Sequence, residues 1–194
     1  MTVPGTFDTS ARELIHAGLQ NLDAARSLFH QLSASGFDAA RCGLLLDALQ
    51  HVCDPDVALR NLVDIVNAQV SQGRALDDIM PDDTAFRQLV AVLGVSDAMG
   101  KLMRFRPDLV QAAATDHCNS HLYNHDQRRA HVLESVGADP NDRMSPTATM
   151  DLADAATALR RTYRNQLAAI IAQDTMSDDP IALQPRISSE LSDL

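Results

Sequence analysis

Asp54-Pro-Asp-Val-Ala-Leu-Arg-Asn-Leu-Val-Asp-Ile-Val-Asn-Ala-Gln-Val-Ser-Gln-Gly73 is the stretch whose reading decides the fold. Leu59, Leu62, Val63, Val66 and Val70 recur at helical spacing, which places them on one face of a helix. Asp54 is a residue that caps, and Pro55 sits at the first helical position, where its missing N–H costs nothing. Gly73 supplies the stop. The pattern contains no alternation of the kind that a half-buried strand needs.

The same grammar repeats in both directions. Upstream, Ser10-Ala-Arg-Glu13 is a candidate capping box for a helix ending near Gly18. A second helix runs from about Asn21, with Leu22, Ala25, Leu28, Phe29 and Leu32 on one face. Asp38 caps a third, in which Cys42, Leu45, Leu46, Leu49, Val52 and Cys53 repeat at helical spacing. Downstream, a polar connector over 74–81 leads to Asp82 or Asp83 and a helix carrying Phe86, Leu89, Val90 and Leu93, with Gly94 at its end. Ser96 restarts a helix with Met99, Leu102 and Met103, closed by Pro107, and 108–114 form a short helix or turn. Residues 115–136 form a helix with a break near Asn124, ending at Gly137. Ala138–Thr147 is the longest and most exposed loop. The longest helix spans about Thr149 to Gln173, with Leu152, Ala155, Ala156, Leu159, Tyr163, Leu167 and Ile170 as its buried stripe. A break over 178–185 precedes the helical pattern of Ile187, Leu191 and Leu194. The prediction is an all-α antiparallel bundle of about eight to ten helices. Residues 1–177 form the helical domain, and 178–194 start a junction.

Composition agrees. Of the 26 acidic residues 23 are Asp, which favours helix starts over helix interiors. Aromatics are 4% and Trp is absent, a palette for helix-on-helix packing. A net charge of −10 argues against wrapping by nucleic acid. No apolar run approaches the roughly 20 residues of a membrane span, and Met1–Ser10 lacks the features of a secretory signal. Three cysteines, Cys42, Cys53 and Cys118, fit no paired spacing, so a reducing cytoplasm is expected.

Three segments resemble the actinobacterial glutamine synthetase adenylyltransferase/adenylyl-removing enzymes. They are Leu89-Val-Ala-Val-Leu93-Gly94-Val-Ser96 through Arg104-Phe-Arg-Pro107-Asp-Leu109, the Asp54-Pro-Asp56 helix opening, and Leu159-Arg160-Arg161-Thr-Tyr163-Arg164 through Asp174 with Leu191-Ser-Asp-Leu194 beyond. Asn165-Gln166 and Gln173 depart from the charged residues usual there. The likeness spans about 50–194 and implies the helical N-terminal part of a bifunctional enzyme that adds AMP to, and removes it from, a tyrosine of glutamine synthetase. It implies Mg2+ and ATP for the intact enzyme, and glutamine synthetase and a PII-type signal protein as partners. Nucleotidyl transfer needs a glycine-serine phosphate turn followed by an Asp-x-Asp pair. The sole Asp-x-Asp here, Asp54-Pro-Asp56, opens a helix without such a turn, so the expectation is a non-catalytic segment of the enzyme, cut before its active site. No catalytic, cofactor-binding or metal-ligating residue is assigned within it.

Arg160, Arg161 and Arg164 are the candidate partner-facing residues, set against an ordinary solvated helix face. Asp116, His117, Cys118, His121, His125, Asp126 and His131 form a cluster in which three histidines share a face at i, i+4, i+8, a spacing that can ligate a metal; ordinary surface histidines are the plainer reading. Arg128-Arg129 reads as bland, and Cys42 and Cys53 read as core thiols. The competing functions are a stand-alone helical adaptor and a small metal-binding regulator built on 116–131.

Overall fold

The computed structural model of the chain describes residues 9–80, 82–114 and 125–175. All regular structure among them is helical, as the periodicity predicts. The chain divides into two compact units, Met1–Ala114 and Thr115–Leu194.

In the first unit α1 (Ala11–His16) opens with the Ser10 capping box: Ser10 N donates to Glu13 Oε2 at 2.9 Å while Glu13 N donates to Ser10 Oγ at 3.3 Å. Next come α2 (Leu22–Ala34), α3 (Ala39–Leu49), α4 (Pro55–Ser71), the single turn α5 (Leu76–Ile79), α6 (Asp83–Val95), α7 (Asp97–Met103) and α8 (Pro107–Ala114). Asn21, Asp38, Asp54, Asp82 and Ser96 each accept a backbone N–H of the first helical turn. These caps satisfy donors that have no partner inside the helix.

The core is the seam between α4 and α6, with α2, α3, α7 and α8 packed around it. Leu59, Leu62, Ile65 and Val66 of α4 and Leu89, Val90, Val92 and Leu93 of α6 are almost wholly excluded from solvent. From Leu89 to Gly94 every residue of α6 is buried, the signature of a helix covered on all sides.

Two local expectations need correction. The third helix stops at Leu49, so Val52 and Cys53 lie beyond it and Cys53 is exposed, whereas Cys42 is a core thiol. Pro55 disfavours the α conformation at Asp54, which sits extended at φ −134°, ψ 94°, so the helical path is broken before α4. Gly94 stands next to the last residue of α6, close to the predicted end, but stopping the helix is not its whole part. A Cβ there would stand 2.9 Å from Val52 Cβ, so the glycine serves close packing.

In the second unit α9 (His125–Ser135) packs on α10 (Leu152–Thr175) through Leu133, Val136, Ala138, Ala155 and Ala158. The connection is long and ordered by its own hydrogen bonds. Arg129 donates to the carbonyls of Pro140 (3.0 Å) and Asp142 (2.9 Å), and Asp142 Oδ1 accepts from the N–H groups of Met144 and Ser145. Asp151, one residue before α10, accepts from Ala153 and Asp154.

Here a third expectation holds only in part: Ala155 and Ile170 of the predicted stripe are buried, but its larger side chains at 152, 159 and 163 are not. Leu152, Leu159 and Tyr163 are exposed (88%, 40% and 46%), while Ala155, Thr162, Gln166, Ala168, Ile170 and Ala172 are buried. Alanines at the α9 contact let two helices approach closely, and the bulkier residues stay outside the seam. Among the described residues no helix is long and apolar enough to cross a membrane.

Candidate functional site

The Asp-x-Asp pair is the first place to look for nucleotide chemistry. Asp54 Oδ1 accepts from Val57 N at 3.0 Å, capping α4. Asp56 reaches across to the α1–α2 turn, where its two carboxylate oxygens accept from Gln20 N (3.0 Å) and Asn21 N (3.3 Å). Both carboxylates are thus turned to backbone N–H groups, one closing a helix end and one clamping a turn. They do not fit magnesium, which needs carboxylate oxygens free to converge on an octahedral ion. Among the described residues no group of three His, Cys, Asp or Glu side chains is placed to hold a metal.

Of the histidine cluster, Asp116, His117, Cys118 and His121 lie outside the described residues, as does the side chain of His125. Asp126 and His131 are exposed on α9. Of the junction, residues 178–194 lie outside the described residues too.

Cys42 is buried, which pushes its thiol up and away from thiolate character, although a hydrogen bond with Ser33 works the other way. Two hollows are lined by described residues of the first unit. One, of about 450 Å³, lies between α1 and α3 over Gly43, rimmed by Arg12, Glu13, His16 and Asp47. The other, of about 150 Å³, holds Asp82, which is occupied capping α6, and the ion pair of Arg41 with Asp77.

The arginine cluster lies on α10. Arg160 and Arg161 are exposed on α10 and Arg164 is half-buried. Among the described residues Arg160 and Arg164, four residues apart, have no hydrogen-bond or ion-pair partner. They border the exposed stripe of Leu152, Leu159 and Tyr163, which lies about a quarter turn from the Ala155 face that meets α9. Sequence reasoning found the arginines and missed that the apolar stripe beside them is uncovered. Their surroundings elsewhere are different: Arg60, Arg87 and Arg106 each face an aspartate at 2.5–3.0 Å.

Comparison with known proteins supplies what the geometry alone does not. The chain is similar to the bifunctional glutamine synthetase adenylyltransferase/adenylyl-removing enzyme of Bifidobacterium longum, with 62% identity over 188 residues, 97% of the chain. It is homologous to one stretch of these enzymes. Enzymes of the same name from Corynebacterium efficiens (33% identity over 70% of the chain) and Leifsonia xyli (29% over 93%) are similar as well. The chain spans 18%, 15% and 17% of the lengths of these three relatives respectively. No model of a known protein family and no solved structure matches it.

Proposed function

We propose that the chain is the helical N-terminal part of a bifunctional enzyme that adds AMP to, and removes it from, a tyrosine of glutamine synthetase. The observation that carries this reading is 62% identity along 97% of the chain to an enzyme of which it spans 18%. On this reading the segment is non-catalytic. Residues 1–177 are helical support, and 178–194 begin the passage to a nucleotidyltransferase domain that uses ATP and magnesium. The segment works in the cytoplasm, where glutamine synthetase and a PII-type signal protein are its partners, and Arg160, Arg161 and Arg164 face a partner. The occupation of Asp54 and Asp56 by backbone N–H groups supports a structural rather than a chemical part in nucleotidyl transfer.

The test is a chimera in which this chain replaces the matched stretch of the Bifidobacterium longum enzyme. It is expected to adenylylate and deadenylylate glutamine synthetase, while the isolated chain does neither. A folded but inactive chimera would sink the assignment. Magnesium-dependent AMP transfer by the isolated chain would sink its non-catalytic half.

A further inference from the structure

Leu152, Leu159 and Tyr163 form an apolar line along α10 that is left exposed, almost fully at Leu152 and by a little under half at Leu159 and Tyr163, and Met150 extends it into the preceding loop at 43% exposure. An exposed apolar stripe with a polar border marks an interaction surface. The border here has one sign of charge on one side. Arg160 and Arg164 stand next to the stripe, one turn apart and unpaired among the described residues, in a chain whose net charge is −10. Aspartates are plentiful, yet neither arginine has one among the described residues. The surface asks for a complementary helix, apolar along its middle and acidic along the edge that meets the arginines.

We infer that this face of α10 seats an acidic-edged amphipathic helix belonging to the remaining length of the same enzyme. The inference rests on the function proposed above and adds to it the place where the segment joins the rest. Two observations favour an internal occupant over glutamine synthetase itself. More than four-fifths of the length of the Bifidobacterium longum relative lies outside the stretch that this chain matches. A substrate protein must also come and go at every turnover, whereas a line of leucine and tyrosine suits the more apolar character of permanent interfaces.

The full 194-residue chain is titrated with two synthetic helical peptides, each with leucines along one face, one edged with glutamate and the other with lysine. The glutamate-edged peptide is expected to bind, to shift backbone amide signals within 150–164, and to bind about tenfold more tightly than the lysine-edged one. That ratio is the yield of two edge ion pairs gained against two repulsions. Arg160→Glu with Arg164→Glu should invert the preference, and Tyr163→Asp should abolish binding of both, with circular dichroism unchanged because Arg160 and Tyr163 are exposed and Arg164 is only half-buried. Equal affinities, or shifts elsewhere on the chain, overturn the inference. The source of the helix is tested by hydrogen exchange on the intact Bifidobacterium longum enzyme, with no glutamine synthetase or nucleotide added. Its stretch aligned with 150–164 should exchange at least tenfold more slowly than residues 150–164 of the isolated chain. Protection that comes only on adding glutamine synthetase, or concentration-dependent protection in the isolated chain, names another occupant and overturns the proposal. These readouts need no catalysis, so they fail independently of the chimera assay.

Discussion

The two units treat the same amino acids in opposite ways. In the first, leucines and most valines of α4 and α6 are shut inside, and six of the arginines, Arg26, Arg41, Arg60, Arg87, Arg104 and Arg106, stand against an aspartate, while Arg12 and Arg74 do not among the described residues. Its exposed large apolar side chains, such as Ile15 and Phe105, are scattered over different segments, and Phe105 lies under the Arg104 guanidinium at 5.4 Å. In the second, leucine and tyrosine line the outside of α10 and two of the arginines beside them are untied. A helix pair can bury one face of each member and no more. The first unit has eight helical segments with which to close on itself; the described part of the second has two.

The contrast is broken or sharpened most strongly by truncating leucine in each unit. Leu62→Ala, at a site fully buried in α4, should cost about 2–5 kcal/mol of unfolding free energy in chemical denaturation. Leu152→Ala, at 88% exposure, should stay within about 0.5 kcal/mol of the parent. Equal losses at the two positions would mean that the α10 stripe is covered in the isolated chain.

Glycine and glutamine probe how tightly the first unit is made. A Cβ on Gly100 would stand 2.5 Å from the amide of Asn61, whose Nδ2 donates to the Leu93 carbonyl inside the α4–α6 seam. Gly100→Ala should therefore cost about 1–3 kcal/mol by overpacking, although alanine is the better helix former. Gln69 is the converse case. It is fully buried and both polar atoms of its amide lack a hydrogen-bond partner. Gln69→Met should raise stability by about 1–3 kcal/mol, the penalty of a buried unsatisfied polar group. A fall in melting temperature would show that the amide has a role in the fold.

Much of the fold was legible because helix boundaries are local chemistry. The Ser10 box, the Asp38 and Asp54 caps, Pro55 and the Ser96 restart all act within a turn of themselves, and each stands where the spacing predicts. What failed is non-local. Periodicity says that α10 has an apolar stripe but not which neighbour arrives, and α9 took the alanine side instead. Gly94 looks like a stop until Val52 is seen against it. Asp56 shows the same limit for the site: its distance from the α1–α2 turn is 36 residues in sequence and one hydrogen bond in space. The arginines of α10 were legible as charge, whereas their freedom from partners depends on where every aspartate falls.

The smallest expected effect concerns acid, and it separates the units by which carboxylate reports. Two backbone N–H groups, those of Ser145 and Met144, hold the Asp142 carboxyl below the usual aspartate range, with Arg129 adding in the same direction. In the first unit a hydrogen bond from Lys101, with a further one from Arg60, does this for Asp97. A carboxyl depressed in the folded state binds its proton less readily than in the unfolded chain, where aspartate titrates near 3.9. Its stabilising contribution is therefore complete well above that value and is lost as pH falls through the folded-state value. Asp142→Asn keeps an oxygen to accept the two N–H bonds but removes the charge. It should lower the melting temperature slightly at pH 7 and flatten its decline below about pH 4, while leaving the nuclear magnetic resonance titration of Asp97 unchanged. If Asp142 instead titrates at an ordinary aspartate value, the loop over 138–151 does not hold its hydrogen bonds in solution. The order seen in the second unit would then be limited to the α9–α10 seam.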